Sequence, residues 1–199
     1  MIKLITMSQA DCNNKSELNM GVLNDVSGVI VYHVVRIPKR QYEVNETPEF
    51  PFSERDFSSA PPYKQEAENL LEQARLNEFP EYPSRKDCLF VARNREDMDA
   101  WIHYKYRDDC DFVLYKILLE KGKLIWLDTE WYEGAAELLA PGNIVLTHNK
   151  TLPECISNYW NGVPYRKNEY GLIEGLFYGT AKILSKDKYQ IRNRKIIKA

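Results

Sequence analysis

The sequence has no CxxC pair, no glycine-rich phosphate loop and no apolar run long enough for a bilayer, and each absence removes a class of protein. Its four cysteines, Cys12, Cys88, Cys110 and Cys155, lie far apart. Neither a zinc knuckle nor a small disulfide scaffold is therefore expected, and the thiols are expected to be reduced. The three histidines, His33, His103 and His148, are equally scattered and match no HExxH-like spacing, so no metal site is expected. No window approaches the roughly 18 apolar residues of a membrane span. The opening residues MIKLITMSQADCNNK lack the long apolar segment and small-residue cleavage site of a signal peptide. The expectation is a soluble, cytoplasmic chain with no membrane partner. An excess of one sign of charge is lacking too: the formal net charge is -2, which gives no overall attraction to nucleic acid or anionic lipid.

What is present is an ordinary globular mixture, 44% apolar and 28% charged over 199 residues, enough for one domain with a sizeable core. Residues 28–37 (GVIVYHVVRI) are β-branched and aromatic up to Pro38 and predict a strand. Residues 45–63 concentrate proline, serine and charge and predict a long surface loop. Residues 64–79 place Ala67, Leu70, Leu71 and Ala74 on one helical stripe with charges opposite, closed by Pro80. Residues 87–92 (DCLFVA) predict a short strand that runs into a helix over 95–107, whose first turn is acidic. Strands over 112–120 and 123–128 about Lys121-Gly122 predict a hairpin, as do 174–184 and 189–197 about Lys186-Asp187-Lys188. Short helices are expected over 134–139 and 152–160. Strand, helix, strand, helix and then mostly strands is an α+β order, with no regular βαβ alternation. The basic tail 192–199 is the one local excess of positive charge and reads first as a solvated edge.

Four places carry residues suited to chemistry. Strand alternation sets Tyr32, Val34 and Arg36 on one face and His33, Val35 and Ile37 on the other, so His33 and Arg36 share a cleft only across a bulge. Ser84 and Arg85, just before the 87–92 strand, suit an anionic or ribosyl group through charge-assisted hydrogen bonds. Phe90 and Trp101, on a strand and the following helix, suit the two sides of a flat ring. Glu174 sits inside the apolar stretch 171–184 (GLIEGLFYGTAKIL). A carboxylate there is costly to desolvate, so it either stays solvated at the strand edge or is held for chemistry.

In this order the pieces resemble the ADP-ribosyltransferase superfamily, in the branch named for histidine, tyrosine and glutamate, over most of residues 28–185, and look like an uncharacterised bacterial group within or near it. The aromatic-His pair is residues 32–33 (YH), the Tyr-Phe-Ala-like strand is residues 90–92 (FVA) with Phe90 where tyrosine is usual, and the Glu-x-Leu strand is residues 174–176 (EGL) followed by Gly179. Val34-Val35 takes the place of the family's Gly-Thr. The resemblance implies an α+β fold of two packed, mainly antiparallel sheets that form a cleft for NAD, with flanking helices. It implies NAD as co-substrate, Glu174 as the catalytic carboxylate beside the ribose, and His33 as the donor that fixes the sugar. Phe90 and Trp101 would stack on nicotinamide with Tyr104 nearby, and Arg85 with Ser84 would hold the pyrophosphate. Arg36 with Ser84 leaves open the arginine-serine-glutamate branch. Arginine-modifying members carry a second glutamate where this chain has Leu172, so the implied acceptor is another macromolecule, a nucleic acid or a protein. Residues 45–63 would form a rim that selects it. A bacterial or phage toxin or effector fits, with an antitoxin or inhibitor protein as partner. Two other readings stay open: a non-catalytic binder of nucleotide or ADP-ribose groups, and a structural or interaction accessory protein.

Overall fold

The computed structural model describes residues 6–7, 20–37, 42–50, 60–106, 109–142, 149–166 and 171–199, without the side chains of 6–7 and 49–50. Cys12, His148 and residues 51–59 of the expected loop lie outside them. Along the chain come β1 (Thr6–Met7), β2 (Asn24–Val26), β3 (Val29–Arg36), β4 (Glu49–Phe50), α1 (Pro62–Glu78), β5 (Leu89–Val91), α2 (Arg95–Lys105), β6 (Cys110–Asp128), α3 (Glu130–Leu139), α4 (Leu152–Trp160), β7 (Ile173–Arg192) and β8 (Lys195–Lys198). The fold is α+β. Apart from the parallel pair β1 and β2, the strands pair antiparallel.

Two strands of unusual length, β6 and β7, pair with each other from Asp128 and Ile173 at one end to Cys110 and Ile191 at the other. Both expected hairpins are corrected by this pairing. Lys121 and Gly122 lie within β6, opposite Thr180 and Gly179. Gly122 and Gly179 are there because the two backbones pass too closely for a side chain. A Cβ on Gly122 would stand 2.3 Å from the Tyr178 carbonyl oxygen, and Gly179 has a φ of +145°, a region that glycine alone enters readily. Lys186, Asp187 and Lys188 likewise lie within β7, opposite Tyr115, Leu114 and Val113. The true turn follows at Asn193 and Arg194, whose φ values of 52° and 61° have the sign that a two-residue hairpin turn requires.

The hydrogen-bonded strands close on themselves. β3 pairs with β6, β6 with β7, and β7 with β5, while Tyr32 of β3 and Ala92 beyond β5 exchange N–H···O bonds of 2.9 and 2.8 Å. All eight strands thus belong to one curled sheet, where two packed sheets were expected. Alternation then sorts the side chains into layers. Val31, Val91, Tyr115, Ile117, Trp126 and Phe177, drawn from all four strands of the circuit, fill its interior. The alternate residues Ile125, Leu127 and Leu176 point outward and are covered by α1, α3 and α4 through Leu71, Trp131, Ala135, Tyr159 and Trp160. Elsewhere α2 covers Phe112 and Leu114 with Met98 and Ile102. Among the described residues no helix is long and apolar enough to cross a membrane.

The helix over 62–78 begins on Pro61-Pro62, where a missing N–H costs nothing, and ends before Pro80. Its stripe needs one correction. Ala67 and Leu71 are buried as expected, but the charges do not all lie opposite: Glu68 and Arg75 are only 3% and 8% exposed. They occupy the 68-71-75 row of the same face.

Candidate active site

Glu174 is the second residue of β7 and is 1% exposed, which removes the solvated-edge alternative. A carboxylate buried this deeply requires hydrogen-bonded countercharge; Arg85 supplies the charge and Tyr159 a second hydrogen bond, each from a different segment. Arg85, 5% exposed, donates from Nη1 to Glu174 Oε1. It also donates from Nε and Nη2 to the two oxygens of Glu68, at 3.0 and 3.1 Å, a fork-to-carboxylate pairing that fixes the guanidinium plane. Tyr159, fully buried on α4, donates its hydroxyl to Glu174 Oε1 at 2.7 Å and accepts from Arg85 Nη1. Three rings enclose the guanidinium: Tyr132, Phe90 and Tyr159 lie with centroids 4.4, 5.0 and 5.1 Å from Arg85 Cζ. Glu174 Oε2 is buried without a hydrogen-bond partner among the described residues.

Local structure explains why these groups meet. Arg75, near the end of α1, is held by Glu72 and donates from Nη1 to the carbonyl oxygens of Pro80 and Tyr82 at 3.2 and 3.0 Å. It thereby shapes the loop that carries Arg85. Ser84 in that loop donates to Glu72 Oε2 at 3.0 Å, so its hydroxyl anchors the loop. On the other side, a capping box of Thr151 and Glu154 with Pro153 in the first turn sets the start of α4, which brings Tyr159 over the strand. Asp128, fully buried, accepts from the backbone N–H groups of Glu130, Tyr165 and Gly171, each at 3.1 Å. It ties the start of α3, which carries Tyr132, to the entrance of β7.

Burial and charge set the protonation of this cluster. Burial alone would lower the pKa of Arg85, but the neighbouring Glu174 and Glu68 carboxylates outweigh it and hold the guanidinium well above its ordinary value. The Tyr159 hydroxyl is pushed well above the tyrosine range by burial and by Glu174, against the pull of Arg85. Tyr132 is raised by burial and by Glu68. Both phenols therefore stay protonated, and Tyr159 remains a donor.

The residues singled out in the sequence are distributed as follows. Glu174, Arg85 and Phe90 come together in this cluster, although Arg85 is committed to carboxylates. His33 does not join them. Its ring, 8% exposed, stacks on Tyr115 at 6.3 Å inside the curl, and its Nδ1 lies 2.8 Å from the Phe90 carbonyl oxygen. Glu174 faces the helical layer outside. Trp101 packs with the α2 layer and donates from Nε1 to the carbonyl oxygen of Ile173 at 2.8 Å, and Tyr104 beside it is exposed. Arg36 is exposed at the end of β3. Glu68 and Tyr159 escaped the sequence reading. Glu68 had a signal, a carboxylate three residues before a core leucine on a helical stripe; Tyr159 in an apolar helix had none.

Among the described residues no group of three or more His, Cys, Asp or Glu side chains is arranged to hold a metal ion. Residues 58–198 match the family described as protein of unknown function (DUF2441). No curated protein matches the chain.

Proposed function

The chain belongs to that family, and we propose that it cleaves NAD at the bond between nicotinamide and ribose and passes ADP-ribose to a macromolecular acceptor. The observation that supports this most is the meeting of the three motif segments. Val91 lies opposite Gly175, the residue after Glu174, and Ala92 bridges to Tyr32, so residues 32–33, 90–92 and 174–176 occupy neighbouring strands. Glu174 adds a carboxylate with one oxygen engaged twice and the other without a partner among the described residues.

In the proposed reaction the C1′–N bond breaks and its electron pair leaves with nicotinamide. A lone pair on the acceptor forms the new bond to C1′, and the acceptor's proton passes to solvent. Positive charge develops on the ribose in an oxocarbenium-like transition state. Glu174 Oε2, accepting from a ribose hydroxyl, attracts that charge more strongly as it grows, and this is differential stabilisation of the transition state. Because Glu174 is 1% exposed, the substrate reaches it only when side chains packed around it move aside. Arg85 and Ser84 are engaged within the protein, so the pyrophosphate is held by other groups. Exposed Arg194 and Lys195 at the β7–β8 turn favour a nucleic acid acceptor by charge.

A second reading is favoured by the closed ion network itself and by His33 facing the other layer: a domain without NAD chemistry, in which Glu174 is structural. Incubation with adenylate-labelled NAD and cell extract separates the two. The transferase reading predicts label in a nucleic acid or protein fraction with release of nicotinamide. Label in no fraction, with no free nicotinamide, supports the second.

A further inference from the structure

Given the transferase reading, on which this rests, we infer that Tyr159 and Arg85 are positioning residues that decide which oxygen of Glu174 meets the substrate, with Glu68 holding Arg85 in place. The two oxygens of Glu174 are not equivalent. Oε1 accepts from both Arg85 Nη1 and the Tyr159 hydroxyl, so turning the carboxylate breaks two charge-assisted bonds in a dry site, where each is strong. Oε2 accepts from no described residue although it is buried, and a buried acceptor left in this state is the kind of group that marks a functional demand. The working oxygen is therefore Oε2, and its direction is set by what grips Oε1.

The grip is itself held. Glu68 takes the other edge of the guanidinium through two bonds, and Tyr132 and Phe90 enclose it at 4.4 and 5.0 Å. Arg85 thus has neither free donors facing Glu68 nor room to swing toward a phosphate. Two carboxylates on one guanidinium also leave the cluster with an excess of formal negative charge. In a water-poor site that excess, placed beside the ribose, favours positive charge that moves from the pyridinium nitrogen onto C1′ and the ring oxygen near Oε2. Tyr159 contributes direction without charge, since its hydroxyl stays protonated beside Glu174.

The test is the rate of nicotinamide release from NAD by the full chain, with KM and kcat measured separately for wild type, Glu174→Gln, Tyr159→Phe and Glu68→Gln. Tyr159→Phe keeps the ring against Arg85 and removes only the hydroxyl. Positioning predicts that it lowers kcat by about 10- to 100-fold, the scale of a reacting group displaced by a fraction of an ångström to 1 Å, with KM changed by less than about 3-fold. Glu68→Gln, which touches Arg85 and not Glu174, is expected to lower kcat in the same way and decides the matter if Tyr159→Phe does not fold. If wild type is active and Glu174→Gln is not, while Tyr159→Phe and Glu68→Gln keep the wild-type kcat or lose only in KM, the positioning role is overturned and the transferase reading stands. If wild type releases no nicotinamide, both fall together.

Discussion

Arg85 carries two glutamates, and neither carboxylate has another cation among the described hydrogen bonds. Removing it leaves Glu68 and Glu174 buried beside each other, so Arg85→Met is expected to cost about 3–5 kcal/mol, the usual result of breaking a buried ion pair from one side. The midpoint of urea unfolding measures this. Tyrosine burial gives a second consequence. Tyr106 is pushed up to about 12, chiefly by burial, so the folded state favours its protonated form. The stability it contributes is complete below the ordinary value near 10 and is lost as the pH rises from there through about 12. Tyr159 and Tyr132 shift in the same direction. The melting temperature should therefore decline above pH 10, and Tyr106→Phe should flatten the decline, retaining roughly 1 kcal/mol more than wild type at pH 11. Equal slopes for the two proteins would count against burial as the cause. Glu174 was legible in the sequence as a carboxylate out of place among apolar residues. Its partners were not, because they lie 89 and 15 positions away and no local pattern records which distant side chain a fold brings near. Arg85 was legible as a residue that seeks an anion; the anions turned out to belong to the protein.

At the level of elements, periodicity located β3, β5, α1, α2 and α4 closely, while α3 begins at Glu130 and not at 134 and the short β1, β2 and β4 were not foreseen; the two misread hairpins share one physical origin. Gly122 beside a lysine, and a run of Lys186-Asp187-Lys188, both resemble turns, since polar residues and glycine are what turns use. Long paired strands use them differently. The polar side chains form ion pairs, as Lys186 and Asp187 do with Glu43 and Lys198 at 2.7 Å, and the glycines permit close passage between β6 and β7. Gly122→Ala tests this. A turn residue outside the left-handed region would tolerate the methyl, whereas here it meets the Tyr178 carbonyl at 2.3 Å, so a loss of about 1–3 kcal/mol is expected from overpacking, read as a lower unfolding midpoint. A neutral outcome would mean that the strands do not approach as described. Glu68 on α1 shows the matching limit for helices: a charged residue on a core stripe reads as exposed until its buried partner is known.

For the whole molecule, the α+β class followed from the order of elements, while closure of the sheet did not. The bridge between Tyr32 and Ala92 joins strands 60 positions apart through one pair of backbone bonds, and backbone bonds carry no side-chain signature in a sequence. That closure has a functional cost and gain together: it gathers the three motif segments side by side, yet alternation sends His33 into the curl and Glu174 to the helical layer. A catalytic role for Glu174 therefore rests on the carboxylate and its buried partners and not on a histidine beside it. The most direct measurement is nicotinamide released from NAD by wild type and by Glu174→Gln, in the presence of cell extract, with melting temperatures of both recorded. The account predicts release by wild type and loss of at least about 100-fold in the variant, within the range seen when one group that stabilises transition-state charge is removed, with both proteins folded. Equal release by the two, or none by wild type and no change in its melting temperature with NAD, would contradict it.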